Sequence, residues 1–187
     1  MSFITTDYSK LEERNFDALP TGEYEMVIRQ VMEKVTKNGA ESMQVTLVVR
    51  NDLAQVPALA KTNGKHSNRY VFMDNWKRKA TGEYDTEGFM YILQAAGVPE
   101  GTPINSVDDF IDLLQGKPVK VYVKKEVDDY NTQDPESPVY KNTVAPWNFS
   151  ETNYKAMNHQ FDNKANMNNQ QQQAPQVVDT DEEDYPF

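Results

Sequence analysis

Residues 42–50, SMQVTLVVR, alternate without a break. Met43, Val45, Leu47 and Val49 fall on one side, and Gln44, Thr46 and Arg50 on the other. A period of two puts successive side chains on opposite faces of a strand, so this stretch reads as β with one face in a core. The stretch before it, GEYEMVIRQVMEKVTK (22–37), has Tyr24, Met26 and Ile28 on one face and Val27 and Val31 on the other. Apolar residues on both faces suit a long, bent strand of a barrel. KNGAE between the two supplies a glycine turn, and the pair reads as a hairpin.

Three more strands are expected. NRYVFMD (68–74) sets Tyr70 and Phe72 on one face, PVKVYVKKEV (118–127) points Val119, Val121 and Val123 inward, and PVYKNTVAPW (138–147) ends at or near Pro146. Between the third and fourth the period changes. Phe89, Ile92, Leu93 and Ala96 recur at helical spacing, with Thr86 as the expected N-cap and Gly97 as the stop. A second helix follows, with Ser106 and Asp109 spaced like a capping box and Val107, Phe110, Ile111 and Leu114 as its apolar stripe, closed by Gly116. Three strands, a helical insert and two strands is the order of an OB-fold, a five-stranded Greek-key barrel. The expected fold is therefore mainly β.

After residue 150 the periodicity stops. TNYKAMNHQFDNKANMNNQQQQAPQVV is rich in Asn and Gln, and a hydrophobic content of 38% is low for a chain of 187 residues ordered throughout. The organisation expected is a folded domain over 1–150, a disordered linker over 151–178 with a reach of about 30 Å, and an acidic tip, DTDEEDYPF, over 179–187.

Half of the net charge of −10 sits in that tip, which has five acids and no base. Positive charge is clustered elsewhere. Residues 61–79 hold Lys61, Lys65, Arg69, Lys77, Arg78 and Lys79 against one Asp, and 117–125 hold four lysines and no acid. On the strand face opposite its valines, 118–127 presents Lys120, Tyr122 and Lys124. A ring between cations fits base stacking with phosphate pairing. Trp76 beside Lys77, Arg78 and Lys79 repeats the combination, Arg29 and Arg50 occupy polar positions of the first two strands, and Tyr70, Tyr140 and Trp147 are further stacking candidates. Each has a plainer reading. Tyr70, Phe72 and Trp147 suit a core, with Trp147 expected to be structural, and a Lys-Tyr-Lys alternation suits a solvated strand face.

Little points to catalysis. The glycines are isolated, so no phosphate-cradling loop is present, and neither His66 nor His159 has a triad or metal-ligand setting. The chain has no cysteine, which fits a reducing compartment. MSFITTDYSK has no signal-peptide core, and no run is long and apolar enough to span a bilayer. No enzyme activity, cofactor, metal or membrane association is expected.

The tip DEEDYPF resembles the acidic C-terminal peptide of bacterial and bacteriophage single-stranded DNA-binding proteins, with Tyr185 where an aliphatic residue is usual. The domain is similar to phage-encoded OB-fold DNA-binding proteins through LPTGEYEMVIRQV, TKNG, VFMDNW, ILQAAGVPEG and LLQGKPVKVYV. The resemblance implies a protein that coats single-stranded DNA in phage replication, recombination or repair, inside the bacterial host cell. It also implies docking of replication or recombination proteins on Asp181, Glu182, Glu183, Asp184, Tyr185, Pro186 and Phe187. The domain does not match the tetrameric bacterial one, so oligomeric state is left open. The net charge keeps a rival reading alive: an acidic interaction module, or a DNA mimic that occupies another protein's nucleic-acid site.

Overall fold

A computed structural model describes residues 17–161 and the backbone of 176–178. The expected tip, 179–187, and most of the expected linker, 162–175, lie outside the described residues. Strand β1 (Gly22–Thr36) and strand β2 (Glu41–Val49) form the expected antiparallel hairpin. Its turn depends on Gly39, whose φ of +78° is one that side chains with a Cβ avoid. The register shifts between Ile28 and Gln30, a bulge at Arg29. The bulge adds one residue to the alternation, so Val31 joins Tyr24, Met26 and Ile28 in the core while Val27 stays on the opposite face.

Strand β3 (Tyr70–Trp76) pairs with β2 and sets Val71 opposite Leu47 and Met73 opposite Val45. Those pairs lie in the core, and the period of two then forces Tyr70 and Phe72 outward. The core placement expected for these two rings is thus corrected by register. Helix α1 (Thr86–Ala95) has Asp85 rather than Thr86 at its N-cap position, without a side-chain capping bond, and Gly97 ends it at a φ of +75°. Helix α2 (Val107–Leu114) begins as expected, with Ser106 Oγ accepting from the Asp109 N–H at 3.0 Å. Ile92, Leu93, Phe110 and Leu114 seal one end of the core, but Val107, expected in the apolar stripe, is exposed.

Strand β4 (Pro118–Val127) returns along β1, with Val119, Val121 and Val123 inward. Strand β5 (Tyr140–Thr143) is shorter than its sequence segment and is followed by a 3₁₀ turn at Pro146–Asn148. The two-residue strand β6 (Phe149–Ser150) pairs with β4. The order is β3-β2-β1-β4-β5, antiparallel throughout. Among the described residues no ladder joins β3 to β5, so the sheet is open where a closed barrel was expected. A short strand β7 (Gln176–Val178) pairs with β1 in parallel.

The domain does not end at 150. Residues 151–161, expected in the disordered linker, form a strap fastened to the sheet. The Glu25 carboxylate accepts from the Thr152 hydroxyl and from the Asn153 N–H at 3.1 Å. Arg50 donates to the carbonyls of Tyr154 and Ala156 at 2.6 and 2.7 Å. Asp52 accepts from the Asn158 N–H, and Asn51 exchanges bonds with Gln160 and donates its N–H to His159 Nδ1 at 3.1 Å. The composition misleads because polar side chains and backbone, not an apolar stripe, hold this segment.

Candidate nucleic-acid interface

The outer face of the sheet carries two rows of aromatic and basic side chains. The first is β3. Tyr70 is 43% exposed, Phe72 is 53% exposed and Trp76 is half-buried, all on one side of an edge strand. Residues two apart on a strand are spaced by about 6.6–6.8 Å, which leaves each ring room to take a base on its face. Asp74 interrupts the row, but its carboxylate is held by Ser42 Oγ at 3.0 Å and by the Gln44 amide.

Cations stand at both ends of this row. Arg69 precedes Tyr70 and donates to the Asp17 carbonyl. Lys61 and Lys65 are exposed on and beside a π-helical turn, Ala60–Gly64. Burial, and after it the charges of Lys65 and Arg69, lowers the pKa of His66. At the other end Lys77 pairs with Glu41 and lies 4.9 Å from the centre of the Tyr84 ring. Arg78 is 3.5 Å from Asp85 in an exposed pair, and Lys79 is exposed. Lys77 and Arg78 thus already face a carboxylate, and phosphate would have to compete for them.

The second row is β4. Tyr122 is 37% exposed, Lys124 is exposed and Lys120 is half-buried, as the alternation requires. Across the ladder, Glu25 lies opposite Lys120 and Glu23 opposite Tyr122. Carboxylates border this row, which weakens its pull on phosphate. On β5, Tyr140 is exposed and Lys125 Nζ sits 4.4 Å above its ring.

The rows are three strand spacings apart, about 14 Å, and the strap lies between them. Arg29, in the bulge, stacks its guanidinium 4.7 Å from the centre of the Phe161 ring. Arg50 is 0% exposed and bound to Asp52 and the strap. Burial leaves it out of reach of DNA, which corrects its assignment to the binding face. Burial raises and the Arg50 fork and Asn158 N–H lower the pKa of Asp52, and the lowering wins. Val27 and Val48, also on this face, are both buried.

Trp147 departs from its expected structural role. It is 67% exposed on the 3₁₀ turn. Phe72 is the residue that sequence reasoning passed over as a binding candidate. In YVFMDN both parities are rich in apolar residues, so only the pairing with β2 shows which side is core.

Among the described residues no three His, Asp or Glu side chains gather as a metal site, and no helix is long and apolar enough to cross a membrane. The chain belongs to the family described as Protein of unknown function (DUF669), whose pattern matches residues 4–155. No curated protein matches it.

Proposed function

We propose that this protein binds single-stranded DNA with little sequence preference, without enzymatic activity, and recruits replication or recombination proteins through its acidic C-terminal tip. The observation that carries the reading is the row of exposed Tyr70 and Phe72 with half-buried Trp76, and with Arg69, Lys77, Arg78 and Lys79 at its ends. Large exposed rings on a strand face offer stacking surfaces to any base, and lysine and arginine beside them take the phosphates. The order β3-β2-β1-β4-β5 with the helices between β3 and β4 supports reading the sheet as an OB-fold with an open β3–β5 seam. In that fold oligonucleotides lie across strands two and three, where this row stands.

Anisotropy of a dye-labelled oligo(dT), titrated with protein at several salt concentrations, tests the reading. Binding that weakens on a log–log slope with salt, and that is much poorer for duplex of equal length, supports it. The net charge of −10 favours the rival, an acidic DNA mimic. Such a protein would leave the oligo(dT) signal unchanged at low salt.

A further inference from the structure

Strand β1 is longer than its partner on one side. β4 pairs only with Gly22–Val27, and the last bonds on that side join Ile28 to Lys117 and Gly116. From Arg29 onward the edge of β1 that faces away from β2 has no β4 beside it. Such an edge offers a row of backbone donors and acceptors to any extended chain. Gln176–Val178 lies along it, in parallel, beside Lys34, Val35 and Thr36.

We infer that this edge is a reversible dock for the chain's own Gln176–Val178 and that it sets the reach of the acidic tip. Three residues make a short ladder, and each backbone bond contributes little net because the released groups bond to water. The dock is therefore weak by itself. What favours it is tethering. Fourteen residues separate Phe161 from Gln176, a covalent length of about 50 Å at full extension. Phe161 is held at Arg29, and Lys34 lies about 17 Å further along β1. The tether covers that distance and keeps the segment covalently close, which raises its local concentration at its own edge.

Docking changes where the tip can go. Asp179 follows Val178 directly. With β7 paired, the nine residues 179–187 start at Thr36 and extend at most about 30 Å. Released, the chain from Phe161 to Phe187 can extend about 90 Å. The parallel direction also aims the exit at the β1–β2 turn. There Asn38, Gly39, Ala40 and Glu41 line a cleft of about 390 Å³ with Lys77, Arg78, Lys79 and Gly82. The five acids that follow Val178 in sequence are thereby tethered within reach of three cations at the end of the β3 row. The dock rests on the β7 pairing alone; only its use, in holding a partner-binding tip near the DNA path, rests on the function proposed above.

The chain has no cysteine, so Asn38→Cys and Thr180→Cys place two dyes without interference. Energy transfer between them should be high in the otherwise intact chain at nanomolar concentration. Val177→Pro with Val178→Pro removes one amide donor of each strand parity and, with a dye pair that reports only near contact, should cut that transfer by half or more. The same pair of substitutions should speed amide exchange at Lys34–Thr36 and leave oligo(dT) affinity measurable, so that failure of the dock and failure of DNA binding are told apart. Equal transfer with and without the prolines would overturn the dock. Transfer between separately labelled molecules, in place of transfer within one, would overturn the chain's own segment as occupant and assign the edge to a second copy.

Discussion

Arg50 grips Asp52 with two parallel bonds, Nε to Oδ1 at 3.0 Å and Nη2 to Oδ2 at 2.6 Å, while its Nη1 and Nη2 also reach two carbonyls of the strap. A guanidinium can serve a carboxylate and two carbonyls at once because its donors form a planar fork. Its charge is fully buried, so losing it leaves Asp52 with only the Asn158 N–H and takes the guanidinium from the two strap carbonyls. Arg50→Ala should therefore cost about 3–5 kcal/mol of stability, the range for breaking a buried pair from one side. Arg50→Lys should recover little, because an ammonium cannot reproduce the fork. Urea denaturation checks both, and a loss below about 1 kcal/mol would mean that water replaces the pair easily.

The same pair predicts an acid limb. The Asp52 pKa is lowered from 3.8 in the fold, since the Arg50 bonds and the Asn158 N–H outweigh the opposing effect of burial. A lowered carboxyl pKa contributes stability that is fully present above the unfolded value. That contribution is lost as pH falls below 3.8 towards the lower folded value. Asp52→Asn should destabilise the protein at pH 6 and should flatten the dependence of its melting temperature on pH below 3.8. A variant whose acid limb keeps the parent's slope would assign the limb to other carboxylates.

The strap makes the domain boundary measurable. A chain ending at Ser150 loses the bonds of Thr152 and Asn153 to Glu25 and of Tyr154 and Ala156 to Arg50. Bonds to charged groups contribute about 1.5–3 kcal/mol each. That chain should lose at least about 3 kcal/mol, whereas one ending at Phe161 should melt close to the full-length protein. Equal melting of the two truncations would return the boundary to residue 150.

Much of this was legible in the sequence, because alternation and capping are local signals. The core side of β2, the inward valines of β4, the hairpin turn at Gly39 and the Ser106 cap all follow from residues within a few positions of one another. What failed depends on distant partners. Tyr70 and Phe72 have an apolar neighbour on either parity, and only Leu47 and Val45 decide which side is core. Arg50 reads as a solvent-facing cation until residues more than a hundred positions away close over it. The strap itself carries no apolar period, since its fastening is by polar groups. In the candidate site the β4 alternation was visible, but the carboxylates opposite it, Glu23 and Glu25, appear only through the β1–β4 register.

If the protein binds DNA as proposed, that register sets the order of effects of substitutions. Phe72→Ala and Tyr70→Ala should each weaken oligo(dT) binding by about 5- to 150-fold, the equivalent of a stack of about 1–3 kcal/mol. Both rings are exposed, so melting should barely change. Tyr122→Ala should cost less than Phe72→Ala, because carboxylates border its row. With Trp147→Phe as background, Trp76 fluorescence should be quenched by single-stranded DNA. A larger loss from Tyr122→Ala than from Phe72→Ala would move the path from β3 to β4.

The proposed function gives the tip two separable roles. Deleting Asp179 to Phe187 removes five negative charges and nothing from the described sheet. Competition with DNA for the cations should fall, so affinity for oligo(dT) should rise. The rise should be clearest at low salt, because exposed charges are screened within about 10 Å at 0.1 M. The deletion should also abolish capture of replication or recombination proteins. Phe187→Ala keeps every side-chain carboxylate, so DNA affinity should stay at the intact value. It removes the terminal ring that would fill a partner's apolar pocket, so capture should fail. A solubility tail has no use for that ring. If Phe187→Ala captures the same purified partners as the intact chain, the ring is not an anchor, and the acidic run alone accounts for the tip.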